Sequence, residues 1–128
     1  QAEIDAIDAR APGIAEWLLR PLRSSGQLSA VAGRESLSDG LTVIATPGHT
    51  PGHQSVLLET NDERLLITGD LLVHVLQLID PSLRYHHEDD PEKAQASRST
   101  LLRDLAAKGK TDLATPHLGD PFVALTNS

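Results

Sequence analysis

Apolar residues in the first quarter of the chain recur at intervals of three and four, which is the period of an α-helix. Ile4 and Ile7 belong to one such stretch, and Ile14 begins another that includes Trp17, Leu18 and Leu22. We therefore predict helices over residues 3–9 and 14–23.

Prolines and a glycine mark the limits of this helical region. Pro12 suits the first turn of the second helix, whereas Pro21 is expected to end or kink it, because proline lacks a backbone donor. Gly26 is expected to close the region, and a short strand is predicted near residues 28–32.

The central part of the chain has the short apolar runs that are typical of β-strands. Asp39-Gly40 is a turn signal, and residues 41–45 form a β-branched run suited to a buried strand. Residues 55–59 and 64–68 flank the polar stretch 60–63, so we predict a hairpin there.

A helix with clear start and stop signals follows the irregular segment from Leu71 to Asp90. Asp90 is placed as the N-cap, Pro91 as the first helical residue and Gly109 as the C-cap. A last short strand is predicted over residues 112–115. The buried stripe of the helix is predicted to comprise Ala94, Ser97 or Arg98, Leu101, Leu102 and Leu105.

Composition and charge exclude several kinds of partner. The chain has 128 residues, enough for one domain. Its net charge of −7 would repel nucleic acid and anionic membranes, so neither is expected as a partner. There is no apolar run near the roughly 20 residues that span a bilayer, and no cysteine for disulfides or thiolate metal sites.

Other features suggest that the chain is a piece of a longer protein. It contains no methionine, and aromatic residues make up only 2%, which is few for a domain that fills a core alone. No secretory signal is visible at the acidic start, so a cytoplasmic location is the default expectation, although a targeting segment would lie upstream.

Three residues with metal-binding side chains each follow a strand-like run. His49 lies in the stretch Thr46-Pro-Gly-His-Thr-Pro-Gly-His53, Asp70 follows the hairpin, and His117 follows the last strand. Each of them alone is typical of a turn or cap. Together, imidazole and carboxylate groups at strand ends indicate a metal site of hydrolytic type, because such groups are the usual ligands of zinc.

These motifs resemble the C-terminal half of the metallo-β-lactamase-fold hydrolases, over roughly residues 27–123. The octapeptide ending at His53 and the stretch Gly69-Asp-Leu-Leu-Val-His74 are most similar to the methyl parathion hydrolase and N-acyl-homoserine-lactone lactonase branches. The resemblance implies an α/β fold, half of an αβ/βα sandwich with a mixed sheet and flanking helices. Residues 1–26 would be a helical lead-in and residues 124–128 a tail.

The resemblance also implies roles for individual residues. His49 would bind the first of two metal ions, which would be zinc, and His117 the second. Asp70 would bridge both ions and serve as the catalytic carboxylate. His53 would support the ligand turn by hydrogen bonding, and His74 is a candidate for the substrate pocket.

The chain departs from the family pattern in one respect. The family takes its other ligands from a His-x-His-x-Asp-His motif in the N-terminal half, whereas the first histidine here is His49. We therefore expect the isolated chain to bind little or no metal and to be inactive. The expected partner is the N-terminal half of the same fold, or a second copy of the chain, and apolar surface should be exposed where that partner would lie.

Two functions remain open at this stage. One is the C-terminal part of a hydrolase that cleaves a small-molecule ester, lactone or phosphotriester with a metal-activated hydroxide. The alternative is a half-domain without catalytic competence that acts as a binding or dimerising module.

Overall fold

The apolar runs of the central chain form one six-stranded mixed sheet in the computed structural model, which describes residues 1–126. The strands lie side by side in chain order, and every neighbouring pair is antiparallel except β4 and β5, which are parallel. The strands are β1 (Arg34–Ser38), β2 (Leu41–Ala45), β3 (Gln54–Glu59), β4 (Arg64–Ile67), β5 (Thr111–Ala114) and β6 (Phe122–Leu125).

Helices precede the sheet and connect its one parallel pair. A parallel pair needs a long crossover connection, and α5 provides it between β4 and β5. The helices are α1 (Ala2–Arg10), α2 (Pro12–Ile14), a π-helical turn (Ala15–Leu19), α3 (Arg20–Ser24), a 3₁₀ turn (Gly69–Leu71), α4 (Leu76–Ile79) and α5 (Pro91–Ala107). The mixed sheet with helices confirms the predicted α/β class.

The two helical stretches predicted before the sheet are present, but Pro21 does not end the second. The chain stays helical through Pro21 to Ser24, and the π-helical turn lies immediately before this last piece. A π turn changes which carbonyls are bonded, and so accommodates a proline that cannot donate. The helical region ends at Ser25 and Gly26, as predicted.

Two elements at the edges of the sheet differ from the prediction. The strand predicted over residues 28–32 is wrong, because the first strand is β1 and all five of its residues are exposed. The final strand β6 was not predicted, and it includes residues 124–125 of the expected tail. Residues 127–128 of that tail lie outside the described part of the chain.

Helix α5 covers one face of the sheet and builds the core with it. Its N-cap is Asp90, whose side chain accepts a hydrogen bond of 3.1 Å from the Lys93 backbone N–H. The predicted buried stripe is confirmed, with Arg98 rather than Ser97 in the buried position. The core cluster comprises Ile44, Leu57, Leu66, Leu71, Leu72, Leu101, Leu102, Leu105 and Leu113.

The opposite face of the sheet carries a row of apolar side chains. The strand register places Val43, Val56, Ile67, Ala114 and Phe122 side by side across five strands. Ile67 is 42% exposed and Phe122 is 63% exposed. The expectation of exposed apolar surface is therefore confirmed on this face.

No helix within residues 1–126 combines the length and the apolar character that a membrane-spanning helix requires.

Candidate metal centre

The turn that carries His49 begins where β2 ends and packs against the start of α5. The Asp90 N–H donates to the Gly48 carbonyl at 2.9 Å, and the Asp89 N–H donates to the His49 carbonyl at 3.1 Å. Gly48 has a φ of 138°, and a Cβ atom there would overlap the backbone of Ala94 in α5. Only glycine therefore lets this turn approach the helix so closely.

His53 connects that turn to the loop of Asp70. Its Nε2 accepts a hydrogen bond of 2.8 Å from the Asp70 backbone N–H, so the ring proton must lie on Nδ1. Nδ1 lies 3.1 Å from the Thr46 carbonyl, to which it donates, and 2.8 Å from the Thr46 hydroxyl. Burial lowers the pKa of His53, which favours this neutral ring.

The parallel pairing of β4 and β5 brings Asp70 and His117 to the same edge of the sheet. Ile67 pairs with Ala114, and the Thr68 N–H donates to the Ala114 carbonyl at 2.9 Å. The chain therefore leaves both strands at one edge, as α/β sheets do where they bind ligands.

The carboxylate of Asp70 lies between the two histidines. Asp70 Oδ1 is 2.6 Å from His117 Nε2, and Asp70 Oδ2 is 3.5 Å from His49 Nε2. His49 Nδ1 is buried and has no hydrogen-bond partner among residues 1–126. The structure thus brings together the three residues that the sequence predicts as metal ligands, with one carboxylate oxygen facing each ring.

These side chains are of the kinds that bind zinc, but they are too few to form a complete site. Imidazole nitrogen and carboxylate oxygen are common zinc ligands, and a site has three or four protein ligands. Among residues 1–126, however, no three His, Cys, Asp or Glu side chains are arranged to hold an ion. Asp70 and His117 hydrogen-bond each other directly, so this chain alone presents only part of a ligand set.

An open cleft of about 420 Å³ adjoins the three residues and adds others that the sequence did not single out. Its remaining lining consists of Val73, Tyr85 and His87. The Tyr85 ring lies nearly parallel to the His49 ring, with the centroids 6.4 Å apart and the planes at 13°. His87 is exposed to solvent and also lines this cleft.

His74 lies outside the lining of the cleft, although it was a candidate for the pocket. It is exposed, and its ring Nδ1 accepts a hydrogen bond of 3.2 Å from the Leu76 N–H at the start of α4. In this position the ring supports a short helix.

The comparison with protein families identifies the fold family. The family model described as the metallo-beta-lactamase superfamily matches residues 5–117. The chain belongs to the metallo-beta-lactamase superfamily. The predicted resemblance is thereby confirmed, and the match includes most of the helical lead-in.

Solved structures share the fold. The hydrolase AbOPH of the beta lactamase superfamily matches with a TM-score of 0.73 and 24% identity, over 97% of this chain. AidC, a dizinc quorum-quenching lactonase, matches with a TM-score of 0.62 and 21% identity, over 96% of this chain. An N-acyl homoserine lactone hydrolase matches with a TM-score of 0.54 and 28% identity, over 62% of this chain.

The chain is shorter than each of these proteins. It spans 47% of AbOPH, 47% of AidC and 31% of the N-acyl homoserine lactone hydrolase. The curated proteins contain no match to it.

Proposed function

We propose that the chain forms the C-terminal part of a metal-dependent hydrolase that cleaves an ester, lactone or phosphotriester. The observation that carries this proposal is the convergence of His49, Asp70 and His117 at one sheet edge, beside an open cleft. Membership of the superfamily and the likeness to a hydrolase and two lactone-cleaving enzymes support it.

In this proposal His49, Asp70 and His117 would hold two zinc ions. His49 and Asp70 would contribute to one ion, and Asp70 and His117 to the other. Bound ions would supply Lewis acidity and a lowered pKa for water at the substrate. His53 would hold the backbone of Asp70 in place through the bond to its N–H, so that each carboxylate oxygen keeps facing its histidine.

The missing ligands would come from a partner that covers the exposed face of the sheet. A groove of about 790 Å³ lies on this face, and its lining includes Leu41, Leu58, Leu65 and Phe122. Because the chain spans only 47% of AbOPH, we propose the N-terminal half of the same fold as the occupant. A second copy of the chain is the competing occupant, and size-exclusion chromatography that shows only monomer would rule it out.

A second candidate function is a half-domain that binds or dimerises without catalysis. The direct hydrogen bond between Asp70 and His117 favours it, because these side chains satisfy each other without an ion. The two candidates differ in metal content, which can be measured directly.

The test replaces Asp70 in a protein that pairs this chain with a His-x-His-x-Asp-His half. Asp70→Ala should abolish hydrolysis and lower the bound metal, because it removes the only carboxylate that faces both histidines in residues 1–126. Elemental analysis and hydrolysis rates are the measurements.

Asp62→Ala is the matched control, since Asp62 lies in the exposed hairpin loop. It should leave the metal content and the rate unchanged. Unchanged metal and rate in the Asp70 variant would refute the bridging role.

A further inference from the structure

We propose that Val73, Tyr85 and His87 form the substrate-recognition wall of the cleft, and that the buried Arg98 is the positioning residue of this wall. The inference rests on the proposed hydrolase function and assigns the part of the site that selects the substrate. It is carried by a buried network that joins α5 to the irregular segment 71–88.

Arg98 extends from α5 into that segment and has no exposed surface. Its Nε donates to the Pro81 carbonyl at 3.0 Å, and one terminal nitrogen donates to the Leu83 carbonyl at 2.7 Å. The other terminal nitrogen donates to the Leu71 carbonyl at 3.1 Å and to Glu88 Oε1 at 3.2 Å. The planar guanidinium is suited to bind several acceptors in fixed directions at once.

The same network reaches the residues of the wall. Glu88, whose side chain is also fully buried, accepts a hydrogen bond of 3.1 Å from the Tyr85 N–H through its second oxygen. The buried Gln77 accepts one of 2.9 Å from the Val73 N–H and donates one of 3.0 Å to the Leu83 carbonyl. Gln77 and Arg98 thus share an acceptor, and the backbones of Val73 and Tyr85 are each tied to this network.

Arg98 contributes to folding, because it donates hydrogen bonds to three backbone carbonyls of the segment. Its planar guanidinium also adds direction. It fixes the Leu71 carbonyl, next to Asp70, and the loop of Tyr85 relative to each other.

The chemistry of the wall indicates the kind of group it would contact. An isopropyl group, a phenol ring and an imidazole line the cleft beside the polar ligands. Val73 and Tyr85 offer apolar surface, and His87 offers a hydrogen-bonding nitrogen. The wall therefore suits a neutral substrate with an apolar acyl or aryl substituent.

Two neighbouring histidines provide a matched test of the wall. His86 and His87 are both exposed, and their ring centroids are 4.8 Å apart, but His87 lines the cleft and His86 does not. In the complete metal-loaded hydrolase, kcat and KM are measured for an ester with an acetyl group and one with an octanoyl group.

Tyr85→Ala should raise KM for the octanoyl ester by about tenfold more than for the acetyl ester, the effect of losing an aromatic contact. His87→Ala should raise KM for both esters, because its hydrogen-bonding nitrogen would contact the part that they share. The metal content of both variants should stay the same. His86→Ala should leave all of these quantities unchanged. Equal effects of the His86 and His87 variants, or an unchanged KM in the Tyr85 variant, would show that these residues do not form a substrate-recognition wall.

The positioning role of Arg98 needs a control for lost stability. Arg98→Lys keeps the charge but cannot form the same set of bonds, and it should lower the preference for the octanoyl ester as Tyr85→Ala does. Leu101→Ala, in the same helix, should lower the unfolding temperature without changing that preference. If the Arg98 variant loses only stability, as the Leu101 variant does, Arg98 is structural and the positioning role is wrong.

The two proposals fail in different ways. An unaltered protein that binds no metal and cleaves neither ester would overturn both the hydrolase function and the wall. An active, metal-loaded protein in which the His86 and His87 variants behave alike would overturn the wall alone.

Discussion

A single imidazole connects the two halves of the candidate centre at the scale of residues. His53 accepts from the Asp70 N–H and donates to the Thr46 carbonyl, so it spans the end of β2 and the loop after β4. Gly69 makes the contact possible, since it has a φ of 53° and a Cβ there would lie 2.8 Å from His53 Nε2. The position of Asp70 therefore depends on a residue that is not itself a predicted ligand.

We expect His53→Ala to destabilise the protein by about 1–3 kcal/mol, because the Asp70 N–H would lose its partner at a partly buried site. Urea unfolding measures the change. His86→Ala is the control, since His86 is exposed and should leave the unfolding midpoint unchanged. An equal midpoint in the two variants would show that the bond of His53 to Asp70 contributes nothing.

At the scale of elements, hydrogen bonds join α5 to the turn that carries His49. The N–H groups of Asp90 and Asp89, directly before the helix, donate to the carbonyls of Gly48 and His49. The Ser97 hydroxyl within the helix donates to the Pro47 carbonyl at 2.8 Å. The helix that covers the core thereby also sets the position of His49. A change at the contact between the start of α5 and the turn that carries His49 should therefore affect the candidate centre directly.

Gly48→Ala tests this coupling. The new methyl group would overlap the backbone of Ala94, and the φ of 138° disfavours any other residue. We expect a loss of about 1–3 kcal/mol in the free energy of unfolding, the usual effect of overpacking. Gly13→Ala is the matched control, because nothing lies within 4 Å of its added Cβ. Equal unfolding curves for the two variants would contradict the coupling.

At the scale of the whole molecule, one sheet face is covered by α5 and the other carries a row of apolar residues. Ile67 and Phe122 are the exposed members of this row, at 42% and 63% exposure. Under the proposed function the incomplete ligand set and the open face have one explanation, because a second half of the fold would supply both the remaining ligands and a cover. The two observations are independent, since one concerns a sheet edge and the other a sheet face.

The isolated chain should retain little or no zinc after dialysis. His49 and Asp70, or Asp70 and His117, give each ion only two protein ligands, and zinc sites have three or four. Elemental analysis of the dialysed chain is the measurement. Stoichiometric zinc would show that these residues suffice without a partner.

Local sequence signals predicted the elements that have one buried and one exposed face, or clear caps. Helix α5 was placed from Asp90, Pro91 and its apolar stripe, and the hairpin of β3 and β4 from two apolar runs that flank a short polar loop. Strands β1 and β6 were missed because edge strands bury little surface, so their residues need not follow an apolar pattern. Pro21 was misjudged because a π-helical turn, which depends on the surrounding helix, accommodates it.

The sequence by itself determined the fold family and the three residues that converge at the sheet edge. A ligand that directly follows a strand can be recognised locally, because the apolar run that forms the strand lies next to it in the sequence. Only the tertiary structure decided that Tyr85 and His87 face the cleft, that His53 bonds to Asp70 and that Arg98 is buried with Glu88. These contacts join residues 10 to 38 positions apart, and hydrophobic periodicity, which acts over a few residues, carries no information about them.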